Sequence, residues 1–336
     1  MRVVLCPHLS LEHYRGGEKW TAALANRLVE DGVSVAVRAL PYAPDGVRRV
    51  AVRDVLDSRV SYREAWHHDL SAFDTAYLFY NPLSQLFFTG APRYVAGIHS
   101  WLFVTDRLYE PFYGVVPTGV KLLYRLVGPL DLRRFDVVHS VTRAYRAVHP
   151  RTVYIPNFVD THRFSPDRAP LASEFTILVT AAHIPEKGWD LVRETADRLP
   201  MDMRLVTTGT CDDARIDGLG FVTEDELAMA YARAHVVLHP ARVDTDSMVI
   251  NEACASGTPV ITTPIATHLP ATDAVLHAET VEEIFIHLRL LRTEWEQNTG
   301  YTARCEAARA AGEAHDFDLI YPQLKSLLLG SGGEAA

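Results

Sequence analysis

The sequence predicts an α/β protein built from two doubly wound halves, and three observations carry that reading. Its 336 residues suffice for about two domains, each large enough to bury a core of its own. The opening stretch runs strand, glycine turn, helix, strand, which is the βαβ unit of a parallel sheet covered on both faces. Beyond a turn-rich segment at residues 157–174 the same rhythm begins again. Boundaries follow at 1–160 for the first Rossmann-like domain, 161–315 for the second and 316–336 for a closing helix and tail.

Val3 to Cys6 is a β-branched run stopped by Pro7, a buried strand ending in a loop. Gly16-Gly17-Glu18-Lys19 then leads into a helix whose Trp20, Leu24, Leu28 and Val29 share one face and which Gly32 closes. Val33 to Leu40 is a second strand, and Ala76 to Phe79, Tyr94 to Ile98, Val137 to Ser140 and Val153 to Ile155 are further short apolar runs. In the second half Phe175 to Thr180, Arg204 to Thr207, Val236 to Leu238 and Pro259 to Thr262 read as strands. Helices near Trp189 to Leu199, Glu224 to Ala234 and Met248 to Ser256 lie between them. Phe317, Ile320, Leu324 and Leu328 recur every three or four residues in an amphipathic helix ended by Gly330.

Composition narrows the function. Apolar residues at 48% and charged residues at 22% are ordinary for a soluble chain, which excludes disordered, collagen-like and integral membrane classes. A net charge of -9 repels phosphate backbones, so a nucleic-acid partner is disfavoured. Cys6, Cys211, Cys254 and Cys305 show no paired spacing, which argues against a disulfide framework or zinc site and suits a reducing compartment. The opening MRVVLCPHL is too short an apolar run for a signal peptide. A cytoplasmic location is the expectation.

The strongest chemistry-bearing stretch is residues 239–263, HPARVDTDSMVINEACASGTPVITT. Asp246 or Ser247 can cap a helix whose first amides belong to Met248 and Val249, an anion-binding end flanked by the carboxylates Asp244 and Glu252. Glu252, little more than a turn in, leans back toward that end and can hydrogen-bond a diol. An ordinary capped helix with a solvated Glu252 explains the spacing equally well.

Taken together, several segments resemble glycosyltransferase family 4, retaining enzymes of the GT-B fold also called glycosyl transferases group 1. They are Gly16-Gly17, His99 after a strand, YIPNFVDTHRFSP, IPEKGWDLV, GFVTEDELAMAYARAHVVLHP and the EX7E-type element followed by ACASGTPVI. The resemblance covers nearly the whole chain. It implies two Rossmann-like domains facing across a cleft, with the C-terminal helix returning to the first. The partners it implies are a nucleotide diphosphate sugar, a UDP- or GDP-sugar first, and a small-molecule, glycan or glycoconjugate acceptor. Neither metal nor cofactor is implied.

By the same resemblance Glu252 would hold the donor ribose, and Asp244 would stand near the reacting sugar one methylene short of the family's glutamate, with Asp246 as the substitute carboxylate. Lys187 would neutralise the diphosphate, His99 would lie near the sugar, and Gly16 and Gly17 would admit backbone close to the ligand. The family's usual arginine five residues before the lysine is Ala182 here, so His183 or Arg242 is expected to compensate. Failing that, the chain would be a nucleotide-sugar-binding protein with impaired catalysis. Residues 101–134, rich in aromatics, read as a core-packing helix pair near the acceptor rather than a membrane surface. A nicotinamide oxidoreductase is disfavoured because no GxGxxG follows the first strand.

Overall fold

In the computed structural model, which describes residues 1–42, 49–99, 118–144 and 152–330, the apolar runs of the first half form one parallel sheet. Its strands are β1 (Arg2–Cys6), β2 (Ser34–Ala39), β3 (Ser61–Glu64), β4 (Thr75–Phe79), β5 (Tyr94–Ile98), β6 (Val137–Ser140) and β7 (Thr152–Tyr154). Their order is β3-β2-β1-β4-β5-β6-β7. Helix α1 (Gly16–Glu30) connects β1 to β2. It starts at the two glycines themselves, which are its first turn rather than a loop before it, because the Glu18 carboxylate reaches back to accept from Arg15 N–H at 3.0 Å.

A second parallel sheet contains β8 (Phe175–Val179), β9 (Met203–Thr207), β10 (Asp217–Gly218), β11 (Val236–His239), β12 (Val260–Thr262) and β13 (Val275–His277), in the order β10-β9-β8-β11-β12-β13. Around it lie α2 (Trp189–Arg198), α3 (Glu224–Arg233), α4 (Met248–Ala255), α5 (Val281–Glu296) and α6 (Tyr301–Glu313), before α7 (Phe317–Leu329). Alternation along β8 sorts the core. Phe175, Ile177 and Val179 pack with Val192, Ile284 and Leu288, whereas Leu178 joins Val206, Val237, Tyr231 and Ile250 on the other face.

Two units result: the chain up to Asn157 with the stretch from Ile320, and Phe158–Leu319. The return of α7 to the first unit has an ionic basis. Tyr321 Oη donates to Asp31 Oδ2 at 2.7 Å and Lys325 Nζ to the same oxygen at 2.6 Å. Arg93 donates to the carbonyls of Leu327 and Leu328 at 2.8 and 3.2 Å, satisfying acceptors that the helix end leaves open. Among the described residues no helix is long and apolar enough to cross a membrane. Of the aromatic stretch 101–134, residues up to 117 lie outside those described. The remainder is helical from Thr118 to Leu132, with Tyr124 and Leu132 buried but Leu126 and Leu130 exposed, so core packing accounts for only one of its faces.

Candidate functional site

Both sheets reverse strand order beside their first strand, at β1/β4 and β8/β11, and in open parallel sheets ligands bind outside the carboxyl ends at that switch point. In the second unit this is where the charged residues collect. The turn Pro185–Lys187 follows β8 and ends at Gly188, whose φ of +72° suits glycine. A Cβ there would also lie 2.1 Å from the Pro240 carbonyl oxygen. The close approach sets Lys187 against the loop after β11, where Nζ donates to Val243 O at 3.1 Å and pairs with Asp244 Oδ2 at 3.2 Å.

Asp244 is held by Lys187, by the Thr245 N–H, which donates to Oδ1 at 3.0 Å, and by His239. His239 Nε2–H donates to Oδ2 at 2.9 Å, and His268 Nε2 stands 3.8 Å from the same oxygen. Burial alone would raise the Asp244 carboxyl, but the Lys187 ammonium and the hydrogen bond from His239 outweigh it and keep the acid well below the usual carboxylate range. Burial also pushes His239 down to about 4, so it is neutral near pH 7. Ser247 lies 3.1 Å from His239 Nε2 and caps α4 by accepting from Ile250 N–H at 3.4 Å. Ser247 is thus the cap, and Asp246 stands half-buried just before it. Within the helix the first amides, those of Met248 and Val249, have no carbonyl to bond.

Glu252 is buried on α4, and its partner escaped the sequence reading. Tyr231 Oη donates to Glu252 Oε2 at 3.0 Å and accepts from Thr180 Oγ1 at 2.9 Å, which links the end of β8 through α3 to α4. Burial and the nearby carboxylate raise the Tyr231 phenol well above its ordinary value, so it remains a donor. Tyr231 sits in an apolar helical stripe, and nothing local distinguishes its hydroxyl from that of any core tyrosine.

The expected substitutes for the absent arginine are otherwise engaged. Arg242 forms a two-pronged pair with Asp190, 2.6 Å on each arm, and donates to Pro185 O. His183 stacks on Trp189 with ring centroids 3.8 Å apart, and its Nε2–H donates to Thr207 Oγ1 at 2.9 Å. Burial lowers its pKa, so it adds no charge at neutral pH. Lys187 is therefore the cation that the structure brings to Asp244.

Sequence spacing shows no metal-ligand set, yet His239, Asp244 and His268 bring ligand atoms within 4.8 Å of one another from different loops. Thr262 Oγ1 donates to His239 O at 2.8 Å, so it must accept from His268 Nδ1–H, also at 2.8 Å. These residues fit an ammonium better than a divalent ion. Lys187 already occupies the Asp244 oxygen, and His239 spends its Nε2 hydrogen on it, so a metal would have to displace both.

At the corresponding end of the first unit the residues are aromatic and neutral. His99, one residue past β5, stacks on Phe79 at 4.2 Å, and the Trp20 ring stands edge-on at 4.9 Å. Gly17 lies beneath that stack, where an added Cβ would be 3.2 Å from Phe79. Gly16 opens α1, and Glu18, buried with its acid raised by desolvation, fills part of the helix end where an incoming anion was expected. His68 is structural: it contacts Ala39 O at 3.0 Å and stacks on Phe88.

The architecture is shared with solved structures along almost the full length of both chains. Sucrose-phosphate synthase from Thermosynechococcus elongatus superposes with a TM-score of 0.75 at 14% identity, covering 99% of this chain and 100% of its own. For Anabaena HepE in complex with UDP-glucose the values are 0.73, 14%, 98% and 99%. The fold is GT-B. WaaG, a glycosyltransferase involved in lipopolysaccharide biosynthesis, shares this GT-B fold with a TM-score of 0.68 at 15% identity over 98% of this chain and 100% of its own. In sequence, residues 174–289 match the family described as glycosyl transferases group 1, a segment of the second GT-B unit that contains Lys187, Tyr231, Asp244 and Glu252. No curated protein matches the chain in sequence.

Proposed function

We propose that this protein is a retaining glycosyltransferase that moves a sugar from a nucleotide diphosphate to an acceptor hydroxyl. One observation carries the reading: a lysine–aspartate pair beside the open amide end of a capped helix, at the strand-order switch of the unit that matches group 1 glycosyl transferases. Amide dipoles and an ammonium suit a diphosphate, whose charge grows as it leaves. Glu252, oriented by Tyr231, takes the ribose diol, and Asp244 faces the sugar. A UDP-sugar is the first donor to examine, since HepE, which shares the fold, was solved with UDP-glucose.

In this mechanism the diphosphate attracts Lys187 away from Asp244. The bond between the sugar's anomeric carbon and the diphosphate oxygen breaks, the electron pair leaves with the diphosphate, and an oxocarbenium-like carbon remains. The acceptor oxygen bonds to that carbon on the face just vacated, and its proton passes to a departing phosphate oxygen. The products are a glycoside of unchanged configuration and a nucleoside diphosphate, with no covalent enzyme intermediate and no metal required.

The test is a melting-temperature series with UDP, GDP, ADP and their common sugars, followed by donor hydrolysis without acceptor. A ligand that binds only the folded state raises the midpoint by mass action. Slow release of nucleoside diphosphate supports an enzyme. Tight binding without release supports a binding protein that has lost catalysis, the reading favoured by the engagement of Arg242 and His183 elsewhere. Unchanged donor affinity in Glu252→Ala refutes the site.

A further inference from the structure

Of the two imidazoles beside Asp244, His268 is the one left incomplete. Its Nδ1 lies 3.0 Å from Thr263 O and 2.8 Å from Thr262 Oγ1. A carbonyl only accepts, so Nδ1 carries the hydrogen, and in the neutral ring Nε2 holds a lone pair. That nitrogen is buried without a hydrogen-bond partner and stands 3.8 Å from Asp244 Oδ2. Two acceptors thus face each other across a gap that only a cation or a proton donor can fill. A ring tied to a backbone carbonyl through one nitrogen and open at the other is prepared as a metal ligand.

We propose that His239, Asp244 and His268 form a site for a transition-metal dication of the zinc type, which enters by taking the place of the Lys187 ammonium. In a tetrahedral site with bonds of about 2.0–2.1 Å the ligand atoms stand about 3.3 Å apart. The distances of the two imidazole nitrogens from Asp244 Oδ2, 2.9 and 3.8 Å, bracket that value. Two imidazoles and one carboxylate favour zinc, cobalt or nickel over magnesium and calcium, which prefer oxygen ligands alone.

The exchange involves no net gain or loss of protons. Lys187 leaves as the ammonium, giving up Asp244 Oδ2 and Val243 O. His268 binds through the lone pair it already presents, while His239 moves its hydrogen from Nε2 to Nδ1, an atom that is buried and unpartnered in either form. Entry is from the lysine's side, since the Lys187 side chain is 25% exposed and those of His239 and His268 only 1% and 0%. The ammonium that the ligand set holds at rest is therefore the competitor of the ion. On the glycosyltransferase reading the ion is an inhibitor, because it ties up the carboxylate that faces the sugar; the binding itself does not depend on that reading.

The experiment is a titration of the full-length protein, stripped with a chelator, with cobalt(II), followed by the visible absorption that tetrahedral cobalt shows and the aqueous ion lacks. The expected result is one tetrahedral ion per chain, displaced by zinc and unaffected by excess magnesium. His268→Gln and Asp244→Asn should each weaken cobalt binding at least about tenfold. Lys187→Ala should tighten it about fivefold, the worth of one partly exposed ion pair. No tetrahedral band in the wild type overturns the proposal, as does full-strength binding in His268→Gln. An affinity unmoved by Lys187→Ala overturns it too, being the mark of ions held by histidines elsewhere, and this variant decides the matter if His268→Gln does not fold. None of these readouts requires sugar transfer, so a failed metal site and a failed enzyme assignment give different results.

Discussion

The two units share a strand order but finish it with opposite electrostatics. At the β8/β11 end the second unit sets Lys187, Asp244 and a helix N-terminus side by side, whereas at the β1/β4 end the first unit sets Trp20, Tyr77, Phe79, His99 and His139, all neutral near pH 7. The same backbone geometry therefore carries a charged cluster in one case and a neutral aromatic one in the other. What differs is the residue at each strand end, where side chains are free to vary because the sheet core does not constrain them. A repeated fold takes its chemical character from the residues at its strand ends.

Lys187→Ala should give the largest effect. Losing the ammonium should reduce donor turnover by at least about a hundredfold, roughly 3 kcal/mol of transition-state stabilisation. A variant that turns over at the wild-type rate would show that the second unit does not handle the leaving group. Next comes Gly188→Ala, where a left-handed φ and contact with Pro240 O together should cost about 1–3 kcal/mol and lower the melting temperature. An unshifted melting curve would dissociate the turn from the placement of Lys187.

Tyr231→Phe should raise the donor KM about tenfold, the low end of what one lost hydrogen bond to a charged group costs, with a smaller change in kcat. Acid titration sharpens the contrast between the units. Because the folded Asp244 pKa is depressed, its pairing stabilises the protein fully above the unfolded value of about 3.9 and is lost as pH falls toward the folded one. Asp244→Asn should therefore flatten the loss of stability below about pH 4 in chemical denaturation. An equally steep decline would assign acid sensitivity elsewhere. The smallest effect is expected for Asp31→Ala, whose pair with Lys325 is solvent-exposed and whose bond from Tyr321 is part-buried, at about 0.5–1 kcal/mol in the melting curve.

Much of this is legible in the sequence, for physical reasons. A central parallel strand must be apolar on both faces, so Val3 to Cys6 and Phe175 to Val179 announce themselves as runs. The edge strand Ser61–Glu64 is polar and half-exposed and has no such signature, and Asp217–Gly218 is too short to have one. Helix α5 keeps a plain period in Val281, Ile284, Leu288 and Leu291, but it carries no motif, and a reading led by motifs passes over it. Lys187, Asp244 and Glu252 were marked by family pattern. Their partners were not: Tyr231 reaches Glu252 from α3 and His268 approaches Asp244 from the loop after β12, residues some twenty positions away whose elements only the fold brings together.

The anchoring of α7 also bears on how the chain is born. As it leaves the ribosome, residues of the second unit emerge entire and are able to fold as a block, while the first unit still awaits the stretch from Ile320 that gives Arg93 its carbonyl acceptors and Asp31 its cation. The unit made first is thus finished last. A nascent chain halted near Asn157 would lack the buried side chains of Leu324 and Leu328, which complete this unit.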